Sequence, residues 1–317
     1  MKLIVQIPCL NEEQSLPLTV KDIPRQIKGI DKIELLVIDD GSTDRTVEVA
    51  KEIGVDHILR LKNQRGLARA FAAGIDASLR LGADIIVNTD ADNQYNGQDI
   101  AKLIKPILEG DADFVVGARD IDSNPDFSLI KKKLQRIGSW AVRQFSETDV
   151  PDATSGFRAY SREMALNINI VSPYTYTLET IIQAGKKHMA IVSVPIRTNK
   201  KLRESRLFSS ILKYIERSAT TIIRMYTMYQ PLRVFFYIGG ALFGLGVLLG
   251  LRFIYFYIVT GRQAGHIQSL ILSAVFLIIG FQMFMLGLIG DLISSNRRLI
   301  EDTLYRVRKI ELQSKEK

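Results

Sequence analysis

The chain has 317 residues, 47% of them hydrophobic and 24% charged, which is enough apolar material for a buried core and excludes an intrinsically disordered protein. One cysteine, Cys9, and three histidines, His57, His188 and His266, exclude an intramolecular disulfide framework, a multi-cysteine zinc site and a His-rich metal centre. The net charge of +8 is unevenly placed: residues 1–199 carry −2 and residues 200–233 carry +6, so the basicity is a collar ahead of an apolar region, which points to an anionic membrane surface and away from nucleic acid.

In chain order, the first 199 residues alternate strand-length and helix-length patterns. LIVQI (3–7), ELLVI (34–38), ADIIVNT (83–89) and DFVVGA (113–118) are short apolar runs of strand length. Helical periodicity fills Thr43–Ile53, Gly66–Leu81 and Gly97–Glu109. This alternation predicts an α/β fold, a mostly parallel sheet with helices on both faces. The N-terminal MKLIVQIPCL meets Asn11-Glu12-Glu13 at once and has no small-residue cleavage site, so it does not read as a signal peptide.

Beyond the alternating region, residues 207–233 read as a basic amphipathic juxtamembrane helix. Leu207, Ile211, Leu212, Ile215, Ile222 and Ile223 recur near helical spacing, with Lys213, Arg217 and Arg224 between them. Residues 234–259 and 267–290 are then predicted to span a membrane, Arg252 snorkelling from the first span, because a spanning helix needs about 20 predominantly apolar residues. The link Thr260–His266 is short, so the spans form a hairpin and both termini share a side. Eight basic residues in 200–233, against Arg262 alone in the link, put that side in the cytoplasm. Residues 291–317 read as a charged helix returning there. The glycines of the first span, Gly239, Gly240, Gly244, Gly246 and Gly250, suit helix packing within the hairpin or between subunits, and a homo-oligomer is expected.

In open α/β sheets ligands bind beyond the carboxyl ends of the strands. Two apolar runs end there in carboxylates, Asp39-Asp40-Gly41-Ser42 and Asp90-Ala91-Asp92. No G-x-G-x-x-G follows the first strand and no P-loop occurs, so a nucleotide lacks the usual phosphate cradle. Carboxylates repel a diphosphate unless a divalent cation stands between them. Asp90 and Asp92 can present oxygens to one Mg2+ or Mn2+, with the diphosphate completing the coordination.

Four segments in this order carry a specific resemblance: Pro8-Cys9-Leu10-Asn11-Glu12-Glu13, Asp39-Asp40-Gly41-Ser42-Thr43-Asp44, Thr89-Asp90-Ala91-Asp92-Asn93-Gln94 and Asp152-Ala153-Thr154-Ser155-Gly156-Phe157-Arg158. Together they resemble the inverting family 2 glycosyltransferases, in particular the branch that moves a sugar from a nucleotide to a polyprenyl phosphate, which includes dolichol-phosphate mannose synthases and bactoprenol glucosyltransferases. The resemblance covers about residues 1–210, and the two-span hairpin is similar to the bactoprenol glucosyltransferase arrangement. It implies a nucleotide-sugar-binding, Rossmann-like sheet of the GT-A type over residues 1–206. It places Pro8, Glu13 and Asp40 in the nucleoside pocket, and Asp90, Asp92 and Gln94 at the metal and diphosphate. Asp152 takes the position of the catalytic base and Arg119 points at phosphate. Arg203-Glu204-Ser205-Arg206 stands where the family usually has Gly-Glu-Ser-Lys: Arg206 keeps the charge, whereas Arg203 replaces a flexible glycine. Arg203, Arg206 and Arg136, the last beside Lys131, Lys132 and Lys133, are the candidates for the acceptor phosphate.

The resemblance therefore implies transfer of a hexose, with UDP-glucose the favoured donor, to undecaprenyl or another polyprenyl phosphate on the cytoplasmic face of a bacterial plasma membrane. Mannose, galactose and aminoarabinose donors are the alternatives, followed by a polysaccharide synthase and an inactive scaffold. The Gln-x-x-Arg-Trp signature of the synthases is absent: Gln135-Arg136 is followed by Ile137, and Trp140 is not preceded by Arg. With Asp152 removing a residual proton from the acceptor, its loss is expected to cost more rate at pH 6 than at pH 8.

Overall fold

The computed structural model describes residues 1–120, 138–140, 142–144, 146–172, 175–199, 211–260 and 267–315. The basic cluster with Lys131, Lys132, Lys133 and Arg136, and the segment with Arg203 and Arg206, lie outside the described residues.

Seven strands build one sheet: β1 (Lys2–Cys9), β2 (Lys32–Asp39), β3 (His57–Arg60), β4 (Ile85–Asn88), β5 (Phe114–Arg119), β6 (Arg158–Ser161) and β7 (Ile191–Ile196). Their order is β3-β2-β1-β4-β6-β5-β7, parallel except for β6, which runs antiparallel to both β4 and β5. Helices α1 (Leu16–Asp22), α2 (Thr46–Glu52), α3 (Leu67–Arg80), α4 (Ile100–Leu108), α5 (Arg162–Asn167) and α6 (Thr177–Lys186) connect them. The α/β class and the mostly parallel sheet read from the sequence are the ones observed. β1, β2 and β4 are covered on both faces, which is why they are continuous apolar runs without alternation. β3, β6 and β7 escaped the sequence reading; β3 and β6 are four residues each, and β6 contains Arg158 and Tyr160 where an apolar run was sought.

Close packing of helix on sheet has a visible cost in residue choice. A Cβ at Gly74 of α3 would come within 2.4 Å of Gln6 Oε1 and 2.8 Å of Ile38 Cδ1, so only glycine lets α3 lie this close to β1 and β2. The core on one face gathers Leu3, Val5, Ile7, Leu35, Val37, Ile85, Val87 and Val115 with Leu103 and Ile104 of α4.

The chain divides into two compact units, Met1–Ile222 with Leu304–Lys317, and Ile223–Thr303. Helices α7 (Ile211–Tyr229), α8 (Pro231–Thr260) and α9 (Ile267–Lys315) complete the structure. Residues 267–290 and 291–317 are expected as a span and a charged helix; the described residues 267–315 form a single helix, with no glycine or proline after Gly290 to end it. Within the first unit, the last turns of α9 dock on α3 and α5. Arg308 Nη1 donates to the carbonyls of Leu166 and Ile168 at 3.1 and 2.9 Å, and Arg80 pairs with Glu311 at 2.6 Å.

The second unit is a helical hairpin held by small residues. Gly280 of α9 lies against Phe243, Gly246 of α8 against Leu277, and Ser273 Oγ donates to the Gly246 carbonyl at 2.7 Å. Among the described residues a Cβ added at Gly240 or Gly244 would meet nothing within 4 Å, so both lie outside that seam. Both helices are long and apolar enough to cross a membrane, and only 11% and 17% of their most apolar windows are buried, so their side chains are not those of a covered soluble core.

Candidate active site

The site is assembled from the loops at the carboxyl ends of β1, β2, β4 and β5. The β1 loop is stitched to the β2 loop. Asn11, at φ +56°, receives the Thr43 amide on its side-chain oxygen at 2.8 Å, while its own amide donates to Ser42 Oγ at 2.9 Å. Glu13 accepts the Arg45 amide at 3.0 Å and so caps the entry to α2. Pro8 is buried in β1, opposite Ile38 of β2. Cys9 ends β1, buried, and burial pushes its thiol well above its usual range.

Asp39 ends β2 and Asp40 follows it. Asp39 Oδ1 accepts the Ser42 amide at 2.9 Å, and Arg60 Nε stands 3.3 Å from Oδ2. Asp40 accepts the amides of Arg65 and Gly66 at 2.7 and 2.8 Å, one on each oxygen. Asp40 thereby fixes the turn that enters α3, and Asp39 the start of the loop toward α2, both in the region expected to hold the nucleoside.

The β4 loop differs. Among the described residues no side chain or amide donates a hydrogen bond to Asp90, and burial together with the neighbouring Asp92 pushes its carboxyl up to about 7. Gly156 closes over it; a Cβ there would come within 2.9 Å of Asp90 Oδ2. Asp92 Oδ1 accepts the Gln94 amide at 3.1 Å, and Asn93 between them is left-handed at φ +56°. Asp90, which no described donor reaches, and Asp92 two residues on suit a hard divalent cation. Among the described residues no group of three or more His, Cys, Asp or Glu forms a protein-only cage, which leaves coordination positions for phosphate oxygens, as Mg2+-type sites commonly do.

Arg119 and Asp152 meet at the end of β5. Arg119 Nε and Nη2 fork onto Asp152 Oδ2 and Oδ1 at 2.7 and 3.0 Å, and Nη2 also reaches Thr154 Oγ1 at 2.9 Å. Asp152 is fully buried. Burial alone would raise its pKa, but Arg119 outweighs that and holds the carboxyl below its ordinary range. The expected base is thus held by Arg119, and the fork fixes the direction of the guanidinium.

Sequence reasoning missed the polar scaffold beneath these loops. Gln6 Nε2 donates to Asn88 Oδ1 at 2.9 Å, and Asn88 Nδ2 donates to the Gly156 carbonyl at 2.9 Å and to Tyr176 Oη at 2.8 Å. Tyr95 Oη accepts the Gly156 amide at 2.9 Å. Arg158, fully buried, donates to the carbonyls of Ala153, Ser155 and Thr177 at 2.9, 2.6 and 2.7 Å, bracing the whole Asp152–Gly156 turn. A signal was present: Gln6 and Asn88 are lone polar residues inside otherwise apolar strands, and buried polar groups need partners.

Two family models match the chain, Glycosyl transferase family 2 over residues 4–168 and GtrB C-terminal hairpin over residues 230–295. Polyprenol monophosphomannose synthase of Mycolicibacterium smegmatis is 27% identical over 222 residues, covering 66% of this chain and 82% of that protein. Undecaprenyl-phosphate 4-deoxy-4-formamido-L-arabinose transferase of Pectobacterium carotovorum is 28% identical over 314 residues, covering 96% and 90%. Among solved structures, glucosyl-3-phosphoglycerate synthase of Mycobacterium tuberculosis, in complex with Mn2+ and UDP, superposes with a TM-score of 0.55 at 20% identity, covering 71% of this chain and 78% of that one; this likeness concerns the fold.

Proposed function

Because this chain belongs to glycosyl transferase family 2, we propose that it transfers a hexose from a nucleotide sugar, with inversion, to a polyprenyl phosphate at a membrane surface. The observation that carries this reading is one chain in which the Asp90–Asp92 carboxylate pair lies at the carboxyl end of a parallel sheet and two exposed apolar helices follow. The first feature suits a nucleoside diphosphate with a divalent cation. The second suits an acceptor that is itself a membrane lipid, and the names of the two relatives above contain polyprenol and undecaprenyl phosphate. UDP-glucose is the favoured donor through the resemblance of the hairpin to bactoprenol glucosyltransferases, with the catalytic domain on the cytoplasmic side of a bacterial plasma membrane. We also place the hairpin in a homo-oligomer, with Gly240 and Gly244 available to a second copy.

A phosphate monoester has a second pKa of about 6, so it is already largely a dianion at neutral pH and needs no strong base. The burden falls on charge. Mg2+ or Mn2+ held by Asp90 and Asp92, with Gln94 beside them, would neutralise the departing diphosphate. Arg119, oriented by Asp152 and Thr154, is assigned to phosphate. Asp40 and Glu13 fix the turns on which the nucleoside lies, against Pro8. Arg136, Arg203 and Arg206 are assigned to the acceptor phosphate. The phosphate oxygen attacks the anomeric carbon as the bond to the diphosphate breaks, so an α-linked donor gives a β-linked product.

The test uses purified protein in detergent with undecaprenyl phosphate, Mg2+ and radiolabelled UDP-glucose, UDP-galactose and GDP-mannose in parallel. Label in the lipid phase from one donor, lost with EDTA and with Asp92→Ala, is expected. Folded protein that labels no lipid from any donor overturns the acceptor assignment.

A further inference from the structure

We propose that Asn199 is a positioning residue for the divalent cation: its carboxamide holds the Asp92–Gln94 turn in the shape that lets Asp90 and Asp92 share one ion. The proposal rests on the reading above that these carboxylates bind a cation with the donor diphosphate.

Asn199 follows β7, far from the D-x-D in sequence, yet its bonds fall mostly on that loop. Its Nδ2 lies 3.1 Å from the Asn93 carbonyl, 3.4 Å from Asn93 Oδ1, 3.4 Å from the Tyr95 carbonyl and 3.5 Å from Asp22 Oδ2. An amide has two such hydrogens, so it divides them among four oxygens and donates to all of them in turn. Its backbone amide donates to the Gln94 carbonyl at 2.8 Å, the Asn96 amide donates to the Arg197 carbonyl at 3.3 Å, and Tyr95 and Thr198 form an antiparallel bridge. Two residues before Asn199, Arg197 forks onto Asp99, with Nη2 at 2.7 Å and Nε at 3.0 Å from Oδ1, so the exit from β7 is fastened at both ends of the loop.

What is fastened is a tight turn with a left-handed residue in it. Asn93 sits at φ +56°, a region asparagine enters more readily than most residues but glycine most readily. Asn93 precedes Gln94, whose amide orients Asp92 Oδ1, so a change at Asn93 is transmitted to a metal-facing carboxylate through two residues. Groups one step behind the ligands characteristically change metal affinity by about 10- to 100-fold without touching the ion.

The test measures binding without turnover: Mn2+ is titrated by electron paramagnetic resonance into detergent-solubilised protein with saturating UDP, comparing wild type, Asn199→Ala, Asn199→Asp and Asp92→Ala. Asn199→Ala is expected to raise the half-saturating Mn2+ by about 10-fold or more. Asn199→Asp, nearly identical in shape but able only to accept, faces the same four oxygens and is expected to weaken binding at least as much. Adding Asn93→Gly to Asn199→Ala is expected to recover part of the affinity, because glycine adopts the left-handed turn unaided; this double variant also guards against a single variant that folds poorly. In lipid-labelling assays the loss is expected in the Mn2+ requirement, with kcat at saturating Mn2+ largely kept. Mn2+ binding that is lost in Asp92→Ala but unchanged in both Asn199 variants, or an Asn199→Asp protein that binds like wild type, overturns the role of Asn199 alone. Wild-type protein that binds no Mn2+ beside UDP overturns the cation reading and this inference with it.

Discussion

The loops after β2 and β4 begin alike and end differently. Each places aspartates at the carboxyl end of a buried parallel strand. After β2, Asp40 accepts the amides of Arg65 and Gly66, one on each oxygen, and Asp39 accepts the Ser42 amide on Oδ1 with Arg60 in ion-pair range of Oδ2. After β4, no described donor reaches Asp90, and burial with Asp92 raises its carboxyl to about 7. The lesson is that a carboxylate's role at a strand end is decided by the supply of donors around it. A provided carboxylate builds a turn; one that no donor reaches, as Asp90, is incomplete until something positive arrives.

Substitutions can break or sharpen this contrast. Asp92→Ala is expected to cost the most, about 10^3-fold in lipid labelling or more, with the melting temperature unchanged or raised because a like charge beside Asp90 is gone. A fall in melting temperature to match the activity loss would make the β4 loop structural like the β2 loop. Asp152→Asn comes next, at about 10- to 100-fold. Its carboxyl stays ionised well below neutral pH, held there by Arg119 against the effect of burial. The ratio of wild-type to variant rates is therefore expected to be flat between pH 6 and pH 8; a ratio that grows toward pH 6 would restore proton removal to this residue.

Asp40→Ala belongs to the other side of the contrast. It strands the Arg65 and Gly66 amides and is expected to cost about 2 kcal/mol of stability, read as a lower unfolding midpoint, with any activity loss following from the disturbed turn. The smallest effect concerns the opposite edge of the sheet. There Glu34 is 2.8 Å from Lys2 Nζ, 2.5 Å from Lys32 Nζ and 2.7 Å from His57 Nε2. Burial works against its charge, but these partners prevail and lower its carboxyl to about 2. The folded pKa lies below the unfolded one, so the contribution is complete above about pH 4.5 and is lost as the pH falls toward 2. Glu34→Gln is expected to cost about 1 kcal/mol at pH 7 and to converge with wild type near pH 2, as measured by denaturant midpoints at both pH values.

The α/β class, the strand-end carboxylates and the two apolar helices were legible in the sequence, because each is a local matter of periodicity, run length or residue type. The long apolar runs of β1, β2 and β4 and the helical periods of α3 and α4 exceed what turns and loops produce. The Asp39–Ser42 and Asp90–Gln94 segments announced themselves by following such runs. The antiparallel insertion of β6 was not legible, since four residues containing a buried arginine carry no strand signature. Nor were the partners that separate Asp40 from Asp90, or that pair Asp152 with Arg119. Those depend on Gly66, Arg119 and Gly156, residues distant in the chain that only the packing of helices and strands brings together. Residue type is written in the sequence, but donor supply and burial are properties of the folded neighbourhood, and it is these that set what a carboxylate does.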